Sequence, residues 1–169
     1  MSERIDAARK LAEEYHAGQT DKLGVPYIAH VEDIARRVSY LGEDFEIVGL
    51  LHDAIEDTSL TADEVESRFG EAVRTAVFAM TKGDDEDYFD DYLPRVLSNE
   101  LARAVKRADS SHNLSKVHLL DDPATQERLR AKYVRVLRAL GENPSACEIP
   151  IVYDDGEKRW TATDPKGSG

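Results

Sequence analysis

The stretch Leu50-Leu51-His52-Asp53-Ala54-Ile55-Glu56-Asp57-Thr58 places an adjacent His and Asp three and four residues ahead of a Glu and an Asp, inside an otherwise apolar segment. Imidazole and carboxylate are the side chains that bind metal ions and move protons. Residues three and four apart share a helix face, so Glu56 lies near both His52 and Asp53, and Asp57 near Asp53. Ile47, Val48, Leu50, Leu51, Ala54 and Ile55 predict a mostly buried helix. Buried ionised side chains are costly unless paired or coordinated, and a cation is the simplest solution. A partly exposed helix end with a carboxylate pair would account for the same residues without a metal.

Two further segments add candidate ligands. His30 falls near the start of one predicted helix and Asp109 near the end of another, and in a bundle three helices can converge on one interior point. Two imidazoles with two carboxylates suit manganese, iron or zinc better than magnesium or calcium. Spacing alone leaves His30 open to a structural reading as well.

The elements that must position these groups read as helices. Ser2 caps a first helix running to Gly18, with Ile5, Ala8, Leu11, Ala12 and Tyr15 on one face. A loop over 19–25 leads to a second helix that Pro26 opens and Gly42 closes. The third helix spans 44–57 and carries the His-Asp pair. Thr61 and Glu64 form a capping-box pattern for a short helix ending near Gly70, and a fifth follows with Val73, Ala76, Val77 and Met80 facing inward. Residues 83–91 hold six acidic side chains, which predicts a solvated loop and lacks the ligand spacing of a calcium loop. Helices over 99–114 and 123–141 complete a bundle of seven or eight. Beyond Pro144, Ile149 to Tyr153 and Arg159 to Thr163 flank Asp154-Asp155-Gly156, a β-hairpin pattern. The expectation is an all-α bundle over 1–142, with a small C-terminal hairpin and a frayed tail over 143–169.

The 169 residues suit one core, and the net charge of −12 argues against nucleic-acid polymers and anionic membranes as partners. One small phosphorylated ligand remains compatible, because a bound divalent cation inverts the local field. The single cysteine excludes an intrachain disulfide. No apolar run approaches the length of a membrane span and the N-terminus has no signal core, so a soluble, cytoplasmic protein is expected.

Several motifs occur in unbroken order: His16-x-Gly18-Gln19, Lys22-x-Gly24-x-Pro26-Tyr27-Ile28-x-His30, Leu50 through Thr58, Phe69-Gly70, Thr81-Lys82 and Ala108-Asp109-x-x-His112-Asn113-Leu114. Together they resemble the HD-domain hydrolases of the RelA/SpoT type, over about residues 5 to 140. Without a synthetase domain, the chain is most similar to the small stand-alone alarmone hydrolases. The resemblance implies an HD-domain helical bundle that binds one manganese ion through His30, His52, Asp53 and Asp109. It also implies hydrolysis of the 3′-pyrophosphate of guanosine tetra- and pentaphosphate. Glu56 and Asp57 would position and deprotonate the attacking water, while Lys22, Tyr27 and Asn113 would contact the nucleotide.

The chain also departs from the family pattern. Asp21 and Ser115 stand where relatives carry Arg, Ser110 replaces another Arg, and Val31 replaces a Pro. Loss of Arg at 21 and 115 removes positive charge and base contacts. Hydrolysis of another nucleotide phosphoester by the same mechanism, or a silent nucleotide-sensing module, are the competing readings. His16 and His112 are expected to be structural and His118 to lie at the surface. Lys82 and Lys106 could assist an anionic substrate or serve as ordinary salt-bridge partners. Trp160 is expected to pack against the bundle or against a second copy of the chain, in which case the protein would be a homo-oligomer.

Overall fold

The computed structural model describes residues 2–163. The tail expected to be frayed at 164–169 lies outside them. In order, the helices are α1 (Glu3–Tyr15), α2 (Tyr27–Val38), α3 (Glu43–Leu51), α4 (Ala54–Asp57), α5 (Ala62–Phe69), α6 (Glu71–Ala79), α7 (Leu93–Leu97), α8 (Glu100–Lys116), α9 (Pro123–Ala139) and α10 (Pro144–Cys147). Strands β1 (Ile151–Asp154) and β2 (Arg159–Ala162) follow. The helical bundle with a C-terminal hairpin stands. Among the described residues, no helix is long and apolar enough to cross a membrane.

Side chains at the expected places start the helices. Ser2, Thr61, Asn99 and Asp122 each accept a hydrogen bond from a backbone N–H in the first turn that follows. The main core joins apolar faces of α1, α2, α3, α6 and α8, with Ile34, Ile47, Leu50, Leu51 and Met80 among its fully enclosed side chains. A second cluster of Leu93, Leu114, Val136, Leu137 and Leu140 fastens α9 to α8. Burial of such side chains is worth about 1.5–3 kcal/mol each before the entropy of ordering is set against it.

The helix expected over 44–57 is interrupted at its most important residues. Regular helix stops at Leu51 and resumes at Ala54, leaving His52 and Asp53 in the break. The His52 ring supplies the reason. Its Nδ1 donates to the carbonyl of Gly49 at 2.7 Å, competing for the acceptor that the next helical turn would use.

The acidic run is also more ordered than a solvated loop. The Asp87 carboxylate accepts from the N–H groups of Phe89 and Asp90, opening a π-helical turn over Tyr88–Tyr92 that runs into α7. Together with α10, these elements raise the helix count above the seven or eight expected.

One glycine sets the distance between the two helices that carry the histidines. A Cβ at Gly49 would lie 2.8 Å from Ala35 Cα and 3.0 Å from Ala35 N on α2. These are backbone atoms, so they cannot rotate aside. Gly49→Ala is therefore expected to destabilise the fold despite alanine's better helix propensity. Overpacking costs about 1–3 kcal/mol against a propensity gain of about 1. A net loss of up to about 2 kcal/mol would lower the melting temperature by up to about 8 °C for a chain of this size. A variant melting at or above the wild-type temperature would show that α2 and α3 have room to spare.

Candidate metal centre and catalytic cleft

His30 projects from the first turn of α2, His52 and Asp53 from the break before α4, and Asp109 from the second half of α8. Their ligand atoms all lie within 4.8 Å of one another. His30 Nε2 is 3.0 Å from Asp109 Oδ1, and His52 Nε2 is 3.0 Å from Asp53 Oδ2. The cross pairs measure 3.9 Å for His30 to Asp53 and 3.7 Å for His52 to Asp109. Donors bound to one cation at about 2.0–2.2 Å stand roughly 3–4 Å apart, so the spacing fits a single ion.

The surrounding chemistry passes the same test. With His52 Nδ1 donating to Gly49, the lone pair of Nε2 faces the carboxylates, and that buried atom has no hydrogen-bond partner among the described residues. Burial opposes a charge on His52, but Asp53 and Asp109 beside it hold its pKa well above the usual imidazole range. Burial likewise opposes charge on Asp109, yet Lys106 and the two histidines hold its carboxyl well below the usual range. Two ionised carboxylates that draw a proton onto an enclosed imidazole present the field that a divalent cation satisfies.

A second layer fixes these candidate ligands. The Tyr27 hydroxyl donates to Asp53, Asn113 Nδ2 to Asp109 Oδ1 at 3.2 Å, and Lys106 Nζ to Asp109 Oδ2 at 3.2 Å. Tyr27 and Asn113, expected at the nucleotide, thus touch the metal-site carboxylates while also lining the cleft. His16 Nδ1 meets Gln19 Oε1 at 2.8 Å and its ring packs on Tyr27, the structural part expected of it. The exposed His118 reaches the hairpin at Ile151 O.

The cleft has two connected compartments. The larger, about 600 Å³, contains the metal-site residues together with Glu56, Asp57 and four lysines, Lys82, Lys106, Lys116 and Lys132. The smaller, about 330 Å³, has an apolar floor of Leu23, Val117, Leu120 and Leu129, with Lys22 at its rim. Tyr27, Asn113, Lys116 and Tyr133 border both. Desolvation at the cleft wall pushes the Asp57 carboxyl up to about 6, and Asp53 and Glu56 add to the effect. Glu56 is raised for the same first reason, while it accepts from the Lys82 backbone N–H.

Four lysines around one cavity on a strongly acidic chain went unanticipated as a group. Lys116 carried a signal, since it lies one turn beyond Asn113 on the same face of α8. Lys132 carried none, being one lysine among several basic residues of α9.

The structure revises the expected effect of Asp21. Its carboxylate turns back into its own loop, accepting from Leu23 N at 2.8 Å and Val25 N at 3.0 Å, and pairs with Lys116 at 3.4 Å. A carboxylate so engaged organises the loop and is partly neutralised by Lys116, while it also lines the smaller compartment. Ser115 is buried and accepts from Ile149 N at 3.0 Å, tying α8 to the segment before the hairpin. Lys116 brings to the cleft a positive charge of the kind that the missing arginines would have supplied.

A clustered His/Asp site at the meeting of three helix segments is the mark of a class, and a family model described as "HD domain" matches residues 8–140. The chain belongs to the HD domain family. Among its relatives is the guanosine-3′,5′-bis(diphosphate) 3′-pyrophosphohydrolase of Aquifex aeolicus, 43% identical over 83 residues, which are 48% of this chain and 12% of that protein. A probable enzyme of the same name from Synechocystis is 31% identical over 130 residues, 70% of this chain and 17% of that protein. This chain therefore spans less than a fifth of the length of either. A solved structure described as a metazoan ortholog of SpoT that hydrolyzes ppGpp superposes with a TM-score of 0.72 at 22% identity. The match covers 87% of this chain and 92% of that one, and establishes the shared fold.

Proposed function

We propose that the chain is a metal-dependent phosphohydrolase that removes the 3′-pyrophosphate of guanosine tetra- or pentaphosphate. The observation that carries this reading is one cleft that joins a His/Asp metal cluster, two free carboxylates and four lysines to a partly apolar compartment. The names of the two bacterial relatives supply the substrate. Its phosphates need the lysines, and its base needs the apolar compartment.

In this reading His30, His52, Asp53 and Asp109 hold one divalent ion; two nitrogen and two oxygen donors suit manganese, iron or zinc, and the resemblance to the RelA/SpoT-type hydrolases favours manganese. The ion acidifies water and neutralises phosphate charge. Glu56 and Asp57 orient the attacking water and accept its proton; their raised proton affinities suit that task. Lys106 and Lys132 offset the charge of the departing pyrophosphate from beside the Tyr88 ring. Lys22 and Lys116 face the nucleotide, and Tyr27 and Asn113 keep the ligand carboxylates in place. The water oxygen bonds to the phosphorus attached to the 3′-oxygen, that P–O bond breaks, and the proton taken from water passes to the 3′-oxygen, giving a free 3′-hydroxyl and pyrophosphate.

The test is incubation with guanosine tetraphosphate and Mn²⁺, beside a panel of other nucleotides, with products resolved by anion exchange. Guanosine diphosphate and pyrophosphate are expected in equal amounts. Turnover of a different nucleotide with none of the tetraphosphate would move the substrate while keeping the mechanism. Binding without turnover of any nucleotide would replace the enzyme with a sensing module.

A further inference from the structure

The geometry points to the C-terminal hairpin as a working part of the metal centre. Trp160 is a positioning residue that fixes the ring of His30 through His112, an inference that rests on the metal-site reading above. The two candidate histidine ligands are held by different means. A ligating imidazole ordinarily donates its second ring nitrogen to a carbonyl or carboxylate, which sets both tautomer and ring orientation. His52 has this arrangement, with Nδ1 on the Gly49 carbonyl at 2.7 Å. His30 lacks it. Its Nδ1 is buried with no hydrogen-bond partner among the described residues, so its ring is oriented by packing.

That packing comprises Tyr27 at 5.3 Å, His52 at 5.6 Å between ring centroids, and a chain of aromatic edges that leads to the hairpin. The His112 ring meets His30 at 4.7 Å between centroids and 74° between planes. Trp160 meets His112 at 5.3 Å and 89°. His112 is pinned on one side by its Nδ1 bond to Asp33 at 2.7 Å, a carboxylate also held by Arg37 at 2.7 Å. On another side it meets the indole. Trp160 is 3% exposed and packs with Ile151 and Ala29, so the hairpin is clamped onto α2 one residue from His30. Edge-to-face contacts contribute about 0.5–1.5 kcal/mol each and are directional, which suits them to holding a ring at a set angle. The hairpin lies outside the 8–140 region matched by the family model, so its part in the site comes from this fold's own packing.

The experiment measures Mn²⁺ affinity of the metal-stripped full chain by isothermal titration, with melting temperature recorded in parallel. Trp160→Leu keeps an apolar side chain under the hairpin but removes the aromatic edge. Its dissociation constant for Mn²⁺ is expected to rise about tenfold, the low end for loss of an outer-layer partner. Trp160→Phe, which restores a smaller ring, should fall between wild type and Trp160→Leu. Val152→Ala, on the outer side of β1, should leave the constant unchanged. Wild-type affinity in Trp160→Leu overturns the proposal, whatever happens to its melting temperature, because a purely structural hairpin would lose stability alone. Should Trp160→Leu fail to fold, Trp160→Phe decides, and a wild-type constant there overturns it. Absence of Mn²⁺ binding by the wild type would overturn the metal-site reading and this inference together.

Discussion

His52→Ala is expected to leave the protein without its metal. The substitution removes one of four donors and also the bond to the Gly49 carbonyl that shapes the break between α3 and α4. Asp53 and Asp109 then face each other with less positive charge between them, and each rises toward the protonated state that binds no cation. Loss of an outer-layer partner alone lowers metal affinity about 10- to 100-fold. Loss of a ligand should exceed that, so the purified variant should carry well under a tenth of the wild-type metal. Elemental analysis of both proteins, prepared identically, gives the answer. Equal metal content would mean that these four residues are not the ligands.

The other large effect separates chemistry from binding. Glu56→Gln and Asp57→Asn should each keep a full complement of metal and lower kcat by about 10²- to 10⁴-fold, the usual contribution of a positioned base. The amides preserve shape, and Gln can still accept from the Lys82 N–H, but neither can take a proton from water. Both positions lie at the exposed rim of the cleft, so melting temperatures should stay close to wild type. Kinetics on guanosine tetraphosphate with metal content measured on the same samples checks both halves. The variant with the larger loss marks the principal base. Wild-type kcat in both would remove Glu56 and Asp57 from the mechanism.

The parts of the fold that rest on local signals were legible in the sequence. Ser2, Thr61 and Pro123 start helices by chemistry confined to one turn, and the apolar stripes of α2 and α9 have the helical period. The four metal-site residues were legible as types, and their motif order suggested a shared site, although only the fold puts them within 4.8 Å. What escaped depends on competition or distance. The break at His52 arises because a ring nitrogen reaches a carbonyl three residues back, which periodicity cannot express. The acidic run hid a π-helical turn because the same carboxylates that suggest a solvated loop also cap backbone N–H groups. The lysine ring of the cleft assembles from positions 82, 106, 116 and 132, with no spacing rule to link them. Asp21 read only as a lost arginine because a sequence shows neither that its carboxylate caps its own loop nor that Lys116 stands beside it.

The packing of Trp160 also gives the molecule an optical property. It is the chain's single tryptophan, and its indole lies against His112, with Lys116 Nζ 5.3 Å from its ring. Imidazole and ammonium groups change indole emission according to their charge and distance. All of the protein's tryptophan fluorescence therefore comes from one point beside His112 and a lysine of the cleft. Excited beyond the absorption of the seven tyrosines, the unlabelled protein thus reports on this one place.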